Sequence, residues 1–172
     1  MSSLAVKLVA WNATANPTRS AVTVVSAYKD GVACGHADGT IWLYDLELAA
    51  DNHADPQASD PSLYPKCMLS AHQSPVAVIK ASEISAPSAE GREATLISVS
   101  EDGDVVVWSS ADGRCISRVR TRLPGVRPTS VCVQAVDYQS AAEDLVFVAG
   151  EGPAAYVLSY PSLELVYEWR LP

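Results

Sequence analysis

Residues 96–115, LISVSEDGDVVVWSSADGRC, constrain the fold of this chain more than any other stretch. Two apolar runs flank Glu101-Asp102-Gly103-Asp104, and Ala111-Asp112-Gly113 closes the second run. Asp-Gly pairs suit tight turns because glycine reaches positive φ without a Cβ clash, and short runs rich in Val and Ile suit strands. The stretch therefore predicts two antiparallel strands and the start of a third. A related pattern stands upstream, with Asp38-Gly39 lying 64 residues before Asp102-Gly103 and Tyr44-Asp45 in the place of Trp108-Ser109. A degenerate third copy puts Gly152 50 residues after Asp102, where Pro153 and Leu158 replace the turn glycine and the tryptophan. Such spacing predicts an array of equivalent units, each burying an apolar face against the next.

Three units follow from the apolar runs and the turns between them. The first spans residues 22–70, with strands at 22–26, 31–34, 40–44 and 66–70 and an acidic, proline-bearing loop at 47–65. In the second, 76–120, strands are predicted at 76–80, 95–99, 105–109 and 115–120, with an exposed excursion over 82–92 rich in Ser, Ala, Glu and Pro. The third, 130–169, has strands at 130–134, 145–149, 155–159 and 163–169. Residues 4–11 alternate enough to form one more strand, a clasp that needs a host outside its own unit. His36 reads as a turn residue near solvent.

Composition narrows the function classes. With 48% apolar and 19% charged residues, a chain of 172 residues can bury a core, and its single Phe leaves that core to small aliphatic side chains. The net charge of −8 argues against a nonspecific grip on nucleic acid, which depends on clustered Lys and Arg. Cys34, Cys67, Cys115 and Cys132 are too widely spaced for a Cys-x-x-Cys site, so no metal and no cofactor are expected and the thiols read as reduced. The opening segment is too short and too interrupted by Lys7 for a signal peptide or membrane span.

The run Ser98-Val99-Ser100-Glu101-Asp102-Gly103 followed by Trp108 resembles the inner part of a WD-type propeller blade, usually Ser-Gly-Ser-x-Asp-Gly-Thr-Val-x-Leu-Trp-Asp. Ser109 replaces the final Asp, and Ala71-His72 stands where the family has Gly-His. The resemblance implies an all-β fold: a partial β-propeller of about three four-stranded antiparallel blades plus the N-terminal clasp strand. It also implies a buried hydrogen-bonded set of His72, Ser98, Asp102 and Trp108, since imidazole, hydroxyl and indole N–H each need a partner once buried. No complete set is expected in the first unit, where Cys34 takes the place of Ser98, and the third must rely on apolar packing. More narrowly, residues 8–11, 35–39, 43–46, 98–101, 112–116 and 162–167 resemble the amino-terminal repeats of rabconnectin beta-subunit-type proteins. That family implies a cytoplasmic scaffold acting in vacuolar-type proton pump assembly or regulation and in Rab-linked vesicle traffic, peripheral to vesicle or vacuolar membranes through its partners.

Three functions compete. The leading one is a noncatalytic platform for protein partners, with Gln73, Ser74, Glu101 and Asp104 as candidate contact residues on its loops. A hydrolase would use Ser98 as nucleophile, His72 as base and Asp102 as orienter, but no nucleophile elbow surrounds Ser98. The third is an incomplete propeller without independent function. Rings of this class have about seven blades, so open sheet edges predict self-association. Arg114, Arg118, Arg120, Arg122 and Arg127 form a charged series along one outer strand, read first as a soluble edge and second as a contact for an acidic surface.

Overall fold

A computed structural model describes residues 20–28, 31–46, 63–82, 84, 86–88, 91–119, 123–138 and 141–170. The expected clasp strand at 4–11 and most of the 47–65 loop lie outside the described residues. Within them the chain is all-β, without a helix, and its strands form a partial β-propeller. Blade 1 is the meander β1 (Val22–Tyr28), β2 (Gly31–His36), β3 (Thr40–Leu46), β4 (Leu63–Ser70). Blade 2 begins with β5 (Val76–Ala81), interrupts itself with the hairpin β6 (Ala86–Ser88) and β7 (Gly91–Glu93), and continues through β8 (Thr95–Ser100), β9 (Val105–Ser109) and β10 (Cys115–Arg118). Blade 3 is β11 (Arg127–Tyr138), β12 (Ala141–Glu151), β13 (Ala154–Ser159) and β14 (Leu165–Arg170). All neighbouring strands are antiparallel, and each blade has four.

The period of two along each strand distributes the core. In blade 2, Leu96, Val106 and Trp108 face Ala33, Ile41, Leu43 and Leu69 of blade 1. Their neighbours Ile97, Val99, Val105 and Val107 face Val131, Val146, Val148 and Leu158 of blade 3. A sheet covered on both sides carries apolar residues without alternation, which is why β8 and β9 are buried at every position. In blade 3, Val148 and Leu158 stand where blade 2 has Ser98 and Trp108, and both are fully buried, so apolar contact replaces the polar set there.

Hydrogen bonds tie the blades at their edges. Thr23 Oγ1 of blade 1 donates to the Val76 carbonyl at 2.6 Å, and the Tyr160 hydroxyl of blade 3 lies 2.6 Å from Thr95 Oγ1 of blade 2. Two glycines show why the Asp-Gly turns recur. Gly39 and Gly103 have φ of 83° and 80°, and a Cβ on either would come within 2.5 Å of a carbonyl oxygen, that of His72 or Leu123 respectively. Each turn is thus pressed against the backbone linking its blade to the next.

Four expectations are corrected. The 82–92 excursion is not wholly exposed: it forms the β6–β7 hairpin, buries Ala86, and receives a 2.9 Å hydrogen bond from Tyr160 to the Ile84 carbonyl. His36 is fully buried at the end of β2, its Nδ1 3.1 Å from the Ser20 carbonyl oxygen, because the turn begins only after it. Strand β4 starts three residues early and takes in Pro65, which an outermost strand tolerates. Strands β11 and β12 pair over residues 127–138 and 141–151, far beyond the runs expected from apolar content, because antiparallel pairing continues through Asp137 and Glu143.

Candidate functional site

The polar cluster of blade 2 is assembled by three elements. The loop before β5 brings His72, β8 brings Ser98, and β9 brings Trp108. The Trp108 indole N–H donates to Ser98 Oγ at 2.8 Å, and Ser98 Oγ lies 2.7 Å from His72 Nε2. His72 Nδ1 is 2.9 Å from Asp104 Oδ2. With a hydrogen on Nδ1 donated to the carboxylate, Nε2 accepts from the Ser98 hydroxyl, so one tautomer satisfies every partner.

The carboxylate of this chain is Asp104, not the expected Asp102. Asp102 lies in the turn itself, where it accepts from Ser74 Oγ at 2.7 Å and Ser100 Oγ at 2.6 Å. After the left-handed Gly103 the chain re-enters the sheet, and Ser100 and Asp104 close the hairpin: Ser100 N–H donates to the Asp104 carbonyl at 3.0 Å. Asp104 is thereby placed on the same face as Val106 and Trp108, two and four residues on. Arg118 completes the set from β10, donating Nε to Asp104 Oδ1 and Nη2 to Oδ2, both at 2.8 Å. The register explains its reach, since Arg118 and Ser98 both pair with Val106 across the sheet. Burial pushes the Asp104 carboxyl upward, but the hydrogen bonds from His72 and Arg118 and the charge beside it outweigh burial and hold it below the usual carboxylate range.

Ser98, His72 and Asp104 are connected in the order of a hydrolase triad. Ser98 is 0% exposed, however, and its oxygen already receives the indole N–H of a buried Trp108. A substrate carbonyl could reach the hydroxyl only by displacing Trp108 from the blade 1–blade 2 core. What the arrangement does is join an outer strand, two inner strands and the preceding loop into one unit.

The candidate contact residues separate by exposure. Gln73 and Glu101 are exposed, and Glu101 pairs with Arg127 at 3.3 Å. Ser74 is half-buried and bonded to Asp102, and Asp104 is buried, so Asp104 is not available at the surface. The arginine series is largely committed within the chain: Arg118 to Asp104, Arg114 to Glu93 at 2.8 Å and Arg127 to Glu101 and Glu151, while Arg120 and Arg122 lie outside the described residues. Sequence reasoning assigned none of these pairs. No group of three or more metal-ligating side chains is found among the described residues. No helix among them is long and apolar enough to cross a membrane.

Known structures show the same architecture. Sqt1 from Saccharomyces cerevisiae, a WD-repeat protein, matches 88% of this chain with a TM-score of 0.62 and 14% identity. The matched region spans 38% of the Sqt1 chain. The computationally designed Ika4 protein matches 89% of this chain and 74% of its own, with a TM-score of 0.55 and 19% identity. No family model and no curated protein matches the sequence. At such identities the likeness establishes a WD-like propeller fold and nothing finer.

Proposed function

We propose that this chain is a noncatalytic scaffold that binds other proteins through the loops at the turn end of blade 2, around Gln73, Ser74 and Glu101. The observation that carries the reading is the inward closure of the polar set: its donors and acceptors satisfy one another, which leaves a rigid platform that presents the exposed Gln73 and Glu101 to partners selected by shape and charge. A WD-like fold fits a general interaction role. Charge reversal at Glu101, as Glu101→Arg, is expected to release at least one partner from a pull-down with the folded chain. Retention of every partner would move the contact elsewhere.

The finer assignment rests on the rabconnectin-like sequence segments. It places the chain in the cytoplasm, peripheral to vesicle or vacuolar membranes, as part of an assembly acting on vacuolar-type proton pumps or in Rab-linked traffic. Co-purification of the tagged full-length protein with pump subunits supports this; a partner set without pump subunits or Rab proteins overturns it. The exposed edge strand β14, with Tyr167 61% and Trp169 62% exposed, also supports self-association.

One observation favours a hydrolase instead, the alignment of Ser98, His72 and Asp104. Turnover of ester or peptide substrates that disappears in Ser98→Ala while the protein remains folded would establish it. The buried hydroxyl supports the scaffold.

A further inference from the structure

The boundary between the outer strands of blades 2 and 3 holds a groove of about 600 Å³, within the range of about 300–1,000 Å³ common to ligand sites. The buried Tyr156, Leu158 and Leu163 form its floor, Val119 one wall, and Glu164 and Glu168 stand at its lip. Comparison with the preceding boundary shows how it arises. Between blades 1 and 2, β4 fills the equivalent space: a Cβ on Gly113 would meet Leu69 Cδ2 at 2.6 Å and Cys67 Sγ at 2.8 Å. One blade on, Ser117 pairs with Val107 as Cys67 pairs with Leu43, and Val119, bonded through its N–H to Val105, stands at the position of Leu69. The wall residues are smaller, and space opens.

The facing turn changes in the opposite sense. Gly113 and Leu163 occupy the same position in equivalent turns, each donating its N–H four residues back, to Ser109 at 3.0 Å and Ser159 at 2.8 Å. Both are left-handed, with φ of 74° and 58°. That conformation suits glycine and disfavours leucine, so blade 3 carries a bulky apolar side chain into the groove against its backbone preference. Among the described residues the Glu164 carboxylate has no ion pair, and Glu168 has only Arg170, at 2.6 Å. An apolar floor under a Glu164 carboxylate that pairs with no cation among the described residues complements an apolar side chain next to a cation.

We propose that this groove docks an extended segment of a protein partner, with a leucine-like side chain in the cavity and a flanking arginine or lysine against Glu164 and Glu168. The proposal rests on the interaction-module reading and gives it a second surface. The probe is a fluorescein-labelled Arg-Leu-Leu-Arg peptide titrated against the full chain by anisotropy, with Glu-Leu-Leu-Glu as its charge-reversed control. Saturable binding of the arginine peptide is expected, weakened about three- to tenfold by Glu164→Arg, the effect of reversing one exposed charge. Ser162→Trp, a surface change that places an indole across the groove, is expected to abolish binding while circular dichroism and melting temperature stay those of the parent. Absent saturable binding, unchanged binding by Ser162→Trp, or equal binding of the two peptides overturns the groove. None of those results touches the Glu101 pull-down, so the groove and the module fail separately.

Discussion

Replacing Asp104 with alanine removes the acceptor of His72 Nδ1–H and the counter-ion of Arg118 in one step. The His72 side chain is 0% exposed, so its donor has no water to turn to, and an unsatisfied buried donor costs about 1–3 kcal/mol. Arg118 is different: its side chain is 42% exposed and its guanidinium rehydrates, so that half of the interaction contributes no more than about 1 kcal/mol. The sum is about 1–4 kcal/mol, measured as the fall in urea unfolding free energy at pH 7. In Asp102→Ala, the loss of the bonds from the rotatable Ser74 and Ser100 hydroxyls, in a half-buried turn, accounts for about 1–2 kcal/mol. A cost for Asp102→Ala equal to or above that for Asp104→Ala would refute the assignment of the network carboxylate. The pH dependence adds a second check. The folded carboxyl lies below its unfolded value of about 3.9, so the ion pair contributes fully at pH 7 and fades as pH falls from about 5 toward the folded value. The stability gap between the parent and Asp104→Asn is therefore expected to close on acidification, and a gap that widens on acidification contradicts the pairing.

Three further outcomes follow from the geometry. Gly103→Ala combines a left-handed backbone with a Cβ 2.5 Å from the Leu123 carbonyl, so it loses about 1–2 kcal/mol from conformation and more from the contact, read as a lower melting temperature than Gly125→Ala, where nothing lies within 4 Å of the added Cβ. Tyr160→Phe deletes the hydroxyl shared by Thr95 and the Ile84 carbonyl and is expected to cost about 1–2 kcal/mol, with hydrogen exchange rising first in the β6–β7 hairpin. Cys34 is buried, and burial pushes its thiol up to about 11, so iodoacetamide at pH 8 is expected to label exposed Cys132 while Cys34 stays unmodified until denaturant is added, as mass spectrometry would report.

Much of the fold was legible because its punctuation is local. Asp-Gly turns at Asp38-Gly39 and Asp102-Gly103 mark positions where only glycine fits, and the apolar runs between turns set the strands. What the sequence could not show is where pairing outlasts apolar content. Residues 135–138 and 141–144 carry Asp137, Glu143 and Asp144, yet they pair as a hairpin extension, since antiparallel hydrogen bonds do not depend on side-chain burial. The β6–β7 hairpin escaped notice for a related reason. Its 82–92 segment is polar in composition, and only the three-dimensional approach of blade 3 buries Ala86 and engages Ile84.

The polar set was legible in its residues and misplaced in its acid, and the difference turns on parity. Motif matching selects Asp102 because it precedes the turn glycine. Strand geometry selects Asp104, because counting back by twos from Trp108 passes through Val106 to Asp104, all on the face that carries Ser98. The same row leads outward to Arg118, which pairs opposite Val106. A charged outer-strand arginine that looks like edge protection in one dimension is therefore the solvent end of a chain running to the indole in the core. Asp104 in that role also frees the turn: Asp102 is left to order Ser74 and Ser100, which fixes the loop carrying exposed Gln73 and Glu101. Two carboxylates two residues apart thus divide the work. Asp104 couples the strands of blade 2, and Asp102 shapes the surface those strands present.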